Sequence, residues 1–298
     1  MEPARATEKS EGEDSPRGAN AKARGAARSR GDASRDAAEN GSRDGAGGGF
    51  WEQVTTFGIA ILIALGVRQF IIEPFRIPSG SMFPTLLIGD HLFVNKFVYG
   101  PKLPFSDIRL PGLRAPERGE VVVFTVAKRG GETYPADRHP NLKREEFVKR
   151  IIGLPGDEID LRGGRYFVNG EPMETKPLGE RFEDPDGRRL ETLEVRLGSR
   201  VFRTLDDPYS PGPMRNASNA PIRWPIRVEE GRYFMLGDNR DHSQDSRVWG
   251  TVRLAEIKGP AFILYWSWNF NGSWLEVLNP VTWWTVEKRW DRFGDRVE

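Results

Sequence analysis

The sequence predicts a mainly β protein: an antiparallel sheet or barrel-like domain with an inserted β subdomain, preceded by one transmembrane helix and a disordered N-terminal tail. Three observations carry that reading. Composition changes abruptly near residue 50, from a polar tract to a long apolar run. Beyond Pro74, apolar residues come in short runs bounded by turn signals. No long amphipathic helical period interrupts those runs, which favours antiparallel pairing over βαβ crossovers.

Residues 1–49 are rich in Gly, Ala, Ser, Arg, Glu and Asp and hold no large apolar residue after Met1. Such a tract buries too little surface to offset the entropy of ordering, so it reads as a disordered tail. Residues 50–73 are the expected anchor. Their centre, Val54 to Ile72, is 19 residues with a single charge, Arg68, long enough to cross a hydrocarbon core of about 30 Å. Trp51 suits one interface, and Arg68 can snorkel at the other. A buried core helix is the competing reading. A cleaved signal sequence fits less well, since no short n-region or small-residue cleavage site frames the run. The tail's charges nearly cancel, so the positive-inside rule leaves the direction of the span open.

Strands are expected at His91–Val98, Glu120–Val126, Glu146–Ile152, Glu158–Leu161, Arg165–Val168, Tyr233–Leu236 and Ala261–Trp268. Asn169-Gly170 is a two-residue hairpin signal, and Pro155-Gly156 fits the centre of a type II turn. Residues 171–230 are more charged and richer in Pro, yet LETLEVRL and RVFRTL within them still alternate. The expected layout is a catalytic β domain over 74–170 and 231–270, an inserted β subdomain over 171–230, and an aromatic C-terminal segment of mixed charge over 271–298. The C-terminal part of the chain gathers Trp266, Trp268, Trp274, Trp283, Trp284 and Trp290, which suit either core packing or a membrane interface.

Composition excludes several chemistries. Lys+Arg 44 against Asp+Glu 43 gives a net charge of +1, so no global field draws in nucleic acid. Cys 0 rules out disulfides, thiolate metal sites and a Cys nucleophile. His91, His139 and His242 lie far apart in sequence, which argues against a multi-histidine metal site. No metal and no cofactor are expected.

Three segments can carry chemistry. In IPSGSMFPT, Ile77 to Thr85, two serines flank a glycine and two prolines stiffen the loop. A nucleophilic serine needs such a rigid, exposed backbone with an amide nearby, though the same residues also suit an ordinary loop. In FVKRIIGLPGD, Phe147 to Asp157, strand alternation puts Lys149 between Phe147 and Ile151 on one face. Desolvation there would lower its pKa, as a lysine general base requires, and a shift of about 2 units costs roughly 2.7 kcal/mol. A lysine on a solvated strand edge is the plainer reading. In GDNRDHSQDSRVWG, Gly237 to Gly250, the density of Gly, Asp, Asn and Ser makes a turn-rich loop. A calcium loop starting at Asp241 fails, since its sixth position is Ser246 rather than Gly and its twelfth is Val252 rather than Glu. A triad through His242 would have to borrow a serine from elsewhere, such as Ser81.

Taken together these segments resemble the bacterial type I signal peptidases (leader peptidases). The resemblance runs from about Phe70 to near Trp268, broken by 171–230, on four blocks in order: EPFRIPSGSMFPTLLIGD, RGEVVVF, FVKRIIGLPGD and GDNRDHSQDSRVWG. It implies a serine endopeptidase of the bacterial inner (plasma) membrane, single-pass, with its catalytic domain on the outer side, that removes signal peptides from exported preproteins. Ser81 resembles the nucleophile, Lys149 the general base, and Ser79 the side-chain oxyanion donor working with the Ser81 N–H. Ser243 resembles the hydroxyl that holds the lysine, with Asp245 and Arg247 as a supporting ion pair. Phe75, Ile77, Leu86 and Val148 match positions that line pockets for small substrate side chains. The expected partners are signal peptides of secreted preproteins and membrane lipid, with no nucleic acid, and the chain is expected to act as a monomer. The polar tail has no counterpart in the family motif. Two rival functions remain: a self-cleaving Ser/Lys regulator, which should carry a helix-turn-helix where this chain has an apolar span, and a non-catalytic membrane-anchored β binding module.

Overall fold

A computed structural model of the protein describes residues 48–104, 106, 108–209, 222–270 and 279–298. The expected tail, apart from Gly48 and Gly49, lies outside the described residues, as does Trp274. The first described element is α1 (Gly48–Phe70). Ile59, Ile61, Leu62 and Ile63 on it are each more than half exposed. A core helix buries at least one face, and α1 buries none, so that alternative falls. Gly49–Phe70 is long and apolar enough to cross a membrane. The helix ends short of the predicted run, because Ile72 and Glu73 start a strand whose partners are Asn95 and Val94.

The strands in chain order are β1 (Ile72–Arg76), β2 (Asp90–Asn95), β3 (Val121–Arg129), β4 (Glu132–Pro135), β5 (Lys143–Gly153), β6 (Glu158–Arg162), β7 (Arg165–Val168) and β8 (Glu171–Pro172). They continue with β9 (Glu174–Glu183), β10 (Arg189–Leu197), β11 (Arg200–Asp206), β12 (Ile226–Arg227), β13 (Arg232–Leu236), β14 (Val252–Arg253) and β15 (Ile257–Ser267). The largest sheet has the order β1-β2-β15-β3-β5-β13-β14, with β4 bonded to β3. Two smaller sheets run β12-β6-β7-β8 and β11-β10-β9. Asn169 and Gly170 both have positive φ and join β7 to β8, with Val168 paired to Glu171, as the hairpin signal required. β2 stops at Asn95 rather than Val98, because the Asn95 side chain accepts from the Phe97 and Val98 amides and turns the chain.

The run VVVF in β3 does not alternate, and the packing gives the reason. Val121 and Val123 join a cluster with Ile77, Met82, Leu92 and Val148. Val122 and Phe124 join another with Ile151, Met235 and Trp249 on the opposite face. The sheet is covered on both sides, so both sets of side chains are apolar. The last described residues extend this sheet. The Gly294 amide donates to Leu264 O, the Leu264 amide to Asp295 O, and the Val297 amide to Phe262 O.

One buried ion pair ties these parts together. Arg150 on β5 and Asp238, just after β13, are 1% and 0% exposed. Arg150 Nε and Nη2 donate to the two carboxylate oxygens of Asp238 at 2.9 and 2.7 Å. Its Nη1 donates to Gly119 O, and Nη2 also reaches Glu298 O. Its guanidinium lies 4.0 Å from the centre of the Phe202 ring of β11. Asp238 in turn accepts from Thr85 Oγ1 at 2.6 Å, and its main-chain O accepts from the Leu205 amide of β11. Arg150→Ala or Asp238→Ala should each cost about 3–5 kcal/mol by stranding a buried charge, while Arg150→Met with Asp238→Leu should cost less than either. Denaturant unfolding of the detergent-solubilised protein measures this, and a double variant equal to the sum of the singles would show the pair uncoupled.

Candidate active site

β1 delivers the chain into a loop closed at its base, where the Ile77 amide donates to Asp90 O and the Gly89 amide to Ile77 O. Inside it a short 3₁₀ turn, Gly80–Met82, holds Ser81. Met82 plugs into the core with no exposed surface. The Phe83 ring lies so close under Gly80 that a Cβ there would sit 2.3 Å from it, which is why the loop needs glycine at that position. Ser79 precedes the turn in extended conformation, exposed, with no capping bond from its hydroxyl to the turn.

Lys149 comes from the adjacent strand β5 on the face shared with Phe147 and Ile151, and its Nζ is 5.5 Å from the Phe147 ring centre. It is 2% exposed. Its Nζ lies 2.6 Å from Ser81 Oγ and 2.9 Å from Val148 O. Burial lowers its pKa to about 8, against the opposing pull of the Asp245 and Asp238 carboxylates, and the Arg247 charge helps lower it. A neutral amine held on a hydroxyl in this way can take its proton. The solvated-edge reading of Lys149 does not survive this burial.

The 237–250 loop closes over the pair. Asp245 caps α2 (Ser246–Trp249) through the Arg247 amide. Its Oδ1 accepts from Arg247 Nε at 2.7 Å, and its Oδ2 accepts from Arg247 Nη2 at 2.7 Å, from Ser243 Oγ at 2.8 Å and from the Gly237 amide at 2.9 Å. Burial pushes this carboxyl up, but the Arg247 charge and these bonds outweigh it and hold it below the usual range. Ser243 thus commits its proton to Asp245, while the hydrogen bonds of Lys149 Nζ go to Ser81 Oγ and Val148 O, so Ser243 bears on the lysine through Asp245 rather than by a bond of its own. Gly237 must be glycine, since a Cβ there would meet Ser243 Oγ at 2.2 Å and Ser81 O at 2.6 Å.

A cleft of about 590 Å³ opens over Ser79, Ser81 and Lys149. Phe75 and Val148 are in its wall, whereas Ile77 and Leu86 are wholly buried in the cluster beneath and support it from behind. His242 also borders the cleft, but its Nε2 pairs with Asp207 Oδ2 at 3.0 Å, and the group bonded to Ser81 Oγ is Lys149. That removes the geometric basis for the triad reading.

Three residues that the sequence left unremarked hold the site. The Asn239 amide donates to Ser81 O at 3.1 Å and Asn239 Nδ2 to Gly80 O at 3.0 Å, which pins the backbone of the serine turn. Asp238 and Arg150 tie β5, which presents Lys149, to the loop that carries Asn239. Arg150 did leave a signal, a second cation among apolar residues in a strand buried on both faces; Asn239 was hidden in a loop that reads as a turn.

A model of the family described as signal peptidase, peptidase S26, matches residues 50–266, well over half of the chain. The signal peptidase I of Pseudomonas fluorescens is 38% identical over 219 residues, covering 70% of this chain and 69% of that protein. That of Pseudomonas aeruginosa is 38% identical over 222 residues, with the same coverage. The signal peptidase I of Aquifex aeolicus is 32% identical over 256 residues, covering 78% of this chain and 90% of that protein.

The depressed Lys149 pKa has a consequence for stability. Between about 8 and the ordinary 10.5 the unfolded chain holds a proton that the folded chain lacks, so this group makes stability rise with pH across that window. Lys149→Met should therefore be more stable than wild type at pH 7 by up to about 3 kcal/mol, an advantage that fades towards pH 10.5. Urea unfolding of both proteins at pH 7 and pH 10 checks it; a difference that does not change with pH would contradict the lowered pKa.

Proposed function

The chain belongs to the signal peptidase family, peptidase S26, and from that membership we infer that it is a membrane-anchored serine endopeptidase that removes N-terminal signal peptides from preproteins. Ser81 is the nucleophile and Lys149 its general base. The observation that carries this assignment is the 2.6 Å contact between Ser81 Oγ and a lysine kept from water.

In the reaction, neutral Lys149 takes the Ser81 proton as Oγ attacks the scissile carbonyl. The Ser81 amide and the Ser79 hydroxyl donate to the oxygen as it gains charge. Lys149, now an ammonium, gives its proton to the departing amine, which leaves an ester on Ser81. Lys149 then activates water to hydrolyse that ester. Ser243, Asp245 and Arg247 are positioning residues: their network holds the loop against Lys149 with its charges paired among themselves. The substrate lies extended along β5 ahead of Val148, where no other described strand pairs on the side away from β3. Alternate side chains then face the wall formed by Phe75 and Val148 and supported by Ile77 and Leu86.

The protein acts as a monomer on the outer side of the bacterial inner membrane, held by α1 and touching lipid through its aromatic C-terminal face. Trp284, Trp290 and Phe293 support that contact, being 89%, 65% and 63% exposed. Trp268 is instead buried, with its ring 6.0 Å from that of Trp266, so the tryptophans divide between the two roles expected of them. Nucleic acid has no part in this reading.

Cleavage of a purified preprotein is the direct test. Ser81→Ala and Lys149→Ala should each lower kcat by at least about 100-fold with the fold intact by circular dichroism, whereas His242→Ala should stay near wild type. For wild type, kcat/KM should rise with pH through about 8 as Lys149 loses its proton. Activity that survives in Lys149→Ala, or a profile with no rise there, would overturn the dyad. Peptides with Ala at the first and third positions before the cut should outpace Phe at either by more than about 10-fold in kcat/KM, because a bulky side chain clashes with the wall. Equal cleavage of Ala and Phe peptides would refute the small-pocket assignment.

A further inference from the structure

We propose that the part of the substrate following the cut runs over the β9–β10 turn and seats a large apolar side chain in a pocket floored by Phe83, Leu87, Ile88 and Phe182. This rests on the Ser81/Lys149 assignment and extends it to the leaving side of the scissile bond. The cleft is lined by Phe75 of β1 and by Glu145 and Val148 of β5, and also by Phe83, Ile88, Asp184 and Pro185. An extended chain whose small residues face Phe75 and Val148 can leave past the latter four.

A second cavity of about 460 Å³ lies there. It shares Phe83, Ile88, Asp184 and Pro185 with the cleft, so the two spaces are neighbours across one wall. Its floor is apolar. Phe83 packs with Leu190 and Leu205, and its ring centre is 5.2 Å from that of Phe182 on β9. Three carboxylates, Glu183, Asp184 and Glu287, line it against one cation, Arg289, whose Nη2 donates to Ile88 O and Trp268 O. An acidic side chain is therefore disfavoured and an apolar one favoured.

The turn that forms the wall is stiff. Asp184 accepts from the amides of Asp186 and Arg188 and from Arg188 Nη1, while its own amide donates to Arg188 O. A pre-ordered wall loses little entropy when substrate arrives. The same region is tied to the catalytic loop, since the Leu205 amide of β11 donates to Asp238 O and the Asp207 amide to Asp241 Oδ2.

The test uses the full chain in detergent and peptides with fixed Ala residues before the cut. Leu, Phe, Gly and Asp are placed in turn at each of the first three positions after it. In wild type, Leu and Phe should exceed Gly by about 10-fold in kcat/KM at one of those positions, with Asp lowest. Phe182→Ala and Leu87→Ala each remove part of the floor, so in both the preference should shrink to about twofold or less. A substrate whose leaving group is a single chromophoric amine should be cleaved at wild-type rate by both variants, which shows them folded with the dyad intact. The pocket is refuted if wild type discriminates at none of the three positions, if the variants keep the preference, or if they lose the chromogenic substrate as well. Cleavage by Ser81→Ala would count against the dyad and not against the pocket.

Discussion

The buried pair of Arg150 and Asp238 is the contact on which the site depends. Arg150 sits one residue beyond Lys149 and points to the other face of the same strand. Asp238 begins the loop that carries Asn239, Ser243 and Asp245. By binding both oxygens of that carboxylate, Arg150 sets the depth of the loop relative to β5. Through Thr85 the same carboxylate reaches the segment after Ser81. Three pieces of chain, distant in sequence, are brought into one register by a bidentate geometry that tolerates little movement. Such pairs contribute little net stability against apolar replacements, so specificity of arrangement is the better account of its presence.

The lysine imposes an opposite demand. A base that works near neutral pH has to be stripped of water, and the strip must not be undone by a nearby carboxylate that would favour the ammonium. The loop meets this by giving Asp245 its own cation. With Arg247 on both oxygens and Ser243 and the Gly237 amide bonded to one of them, the Asp245 charge is largely spent before it reaches Lys149. What remains still pulls the lysine upward, as does Asp238, yet burial prevails. The fold thus buries an ionisable group at a cost to its own stability.

The stretch between the two halves of the β domain takes part in this arrangement. β11 bonds to Asp238 and packs Phe202 on Arg150, and the β9–β10 turn lines the cleft. Its strand β10 alternates because the sheet β11-β10-β9 is covered on one side only, with Leu190, Val195 and Leu197 turned inward and Glu191 and Arg196 in water. A region that reads as an inserted β subdomain is therefore structural support for residues far from it in sequence.

What the sequence determined by itself was local. The apolar run at 54–72, the hairpin at Asn169-Gly170, the strand periods, and the serine and lysine segments are each written within about twenty consecutive residues or fewer, where sterics and hydropathy act directly. Lys149 was legible as a base candidate because Phe147 and Ile151 share its face. The end of α1 was not, since Ile72 and Glu73 are apolar and polar alike in the sequence and only pairing with Asn95 and Val94 makes them strand. Nor was the role of Asn239, whose two bonds to Gly80 and Ser81 join points about 160 residues apart. The depth of burial of Lys149, the tie of His242 to Asp207, and the support of Ile77 and Leu86 from below are likewise properties of segments packed together. Hydrogen bonds and desolvation act at contact distance, and which segments come into contact was settled by the closing of the sheet.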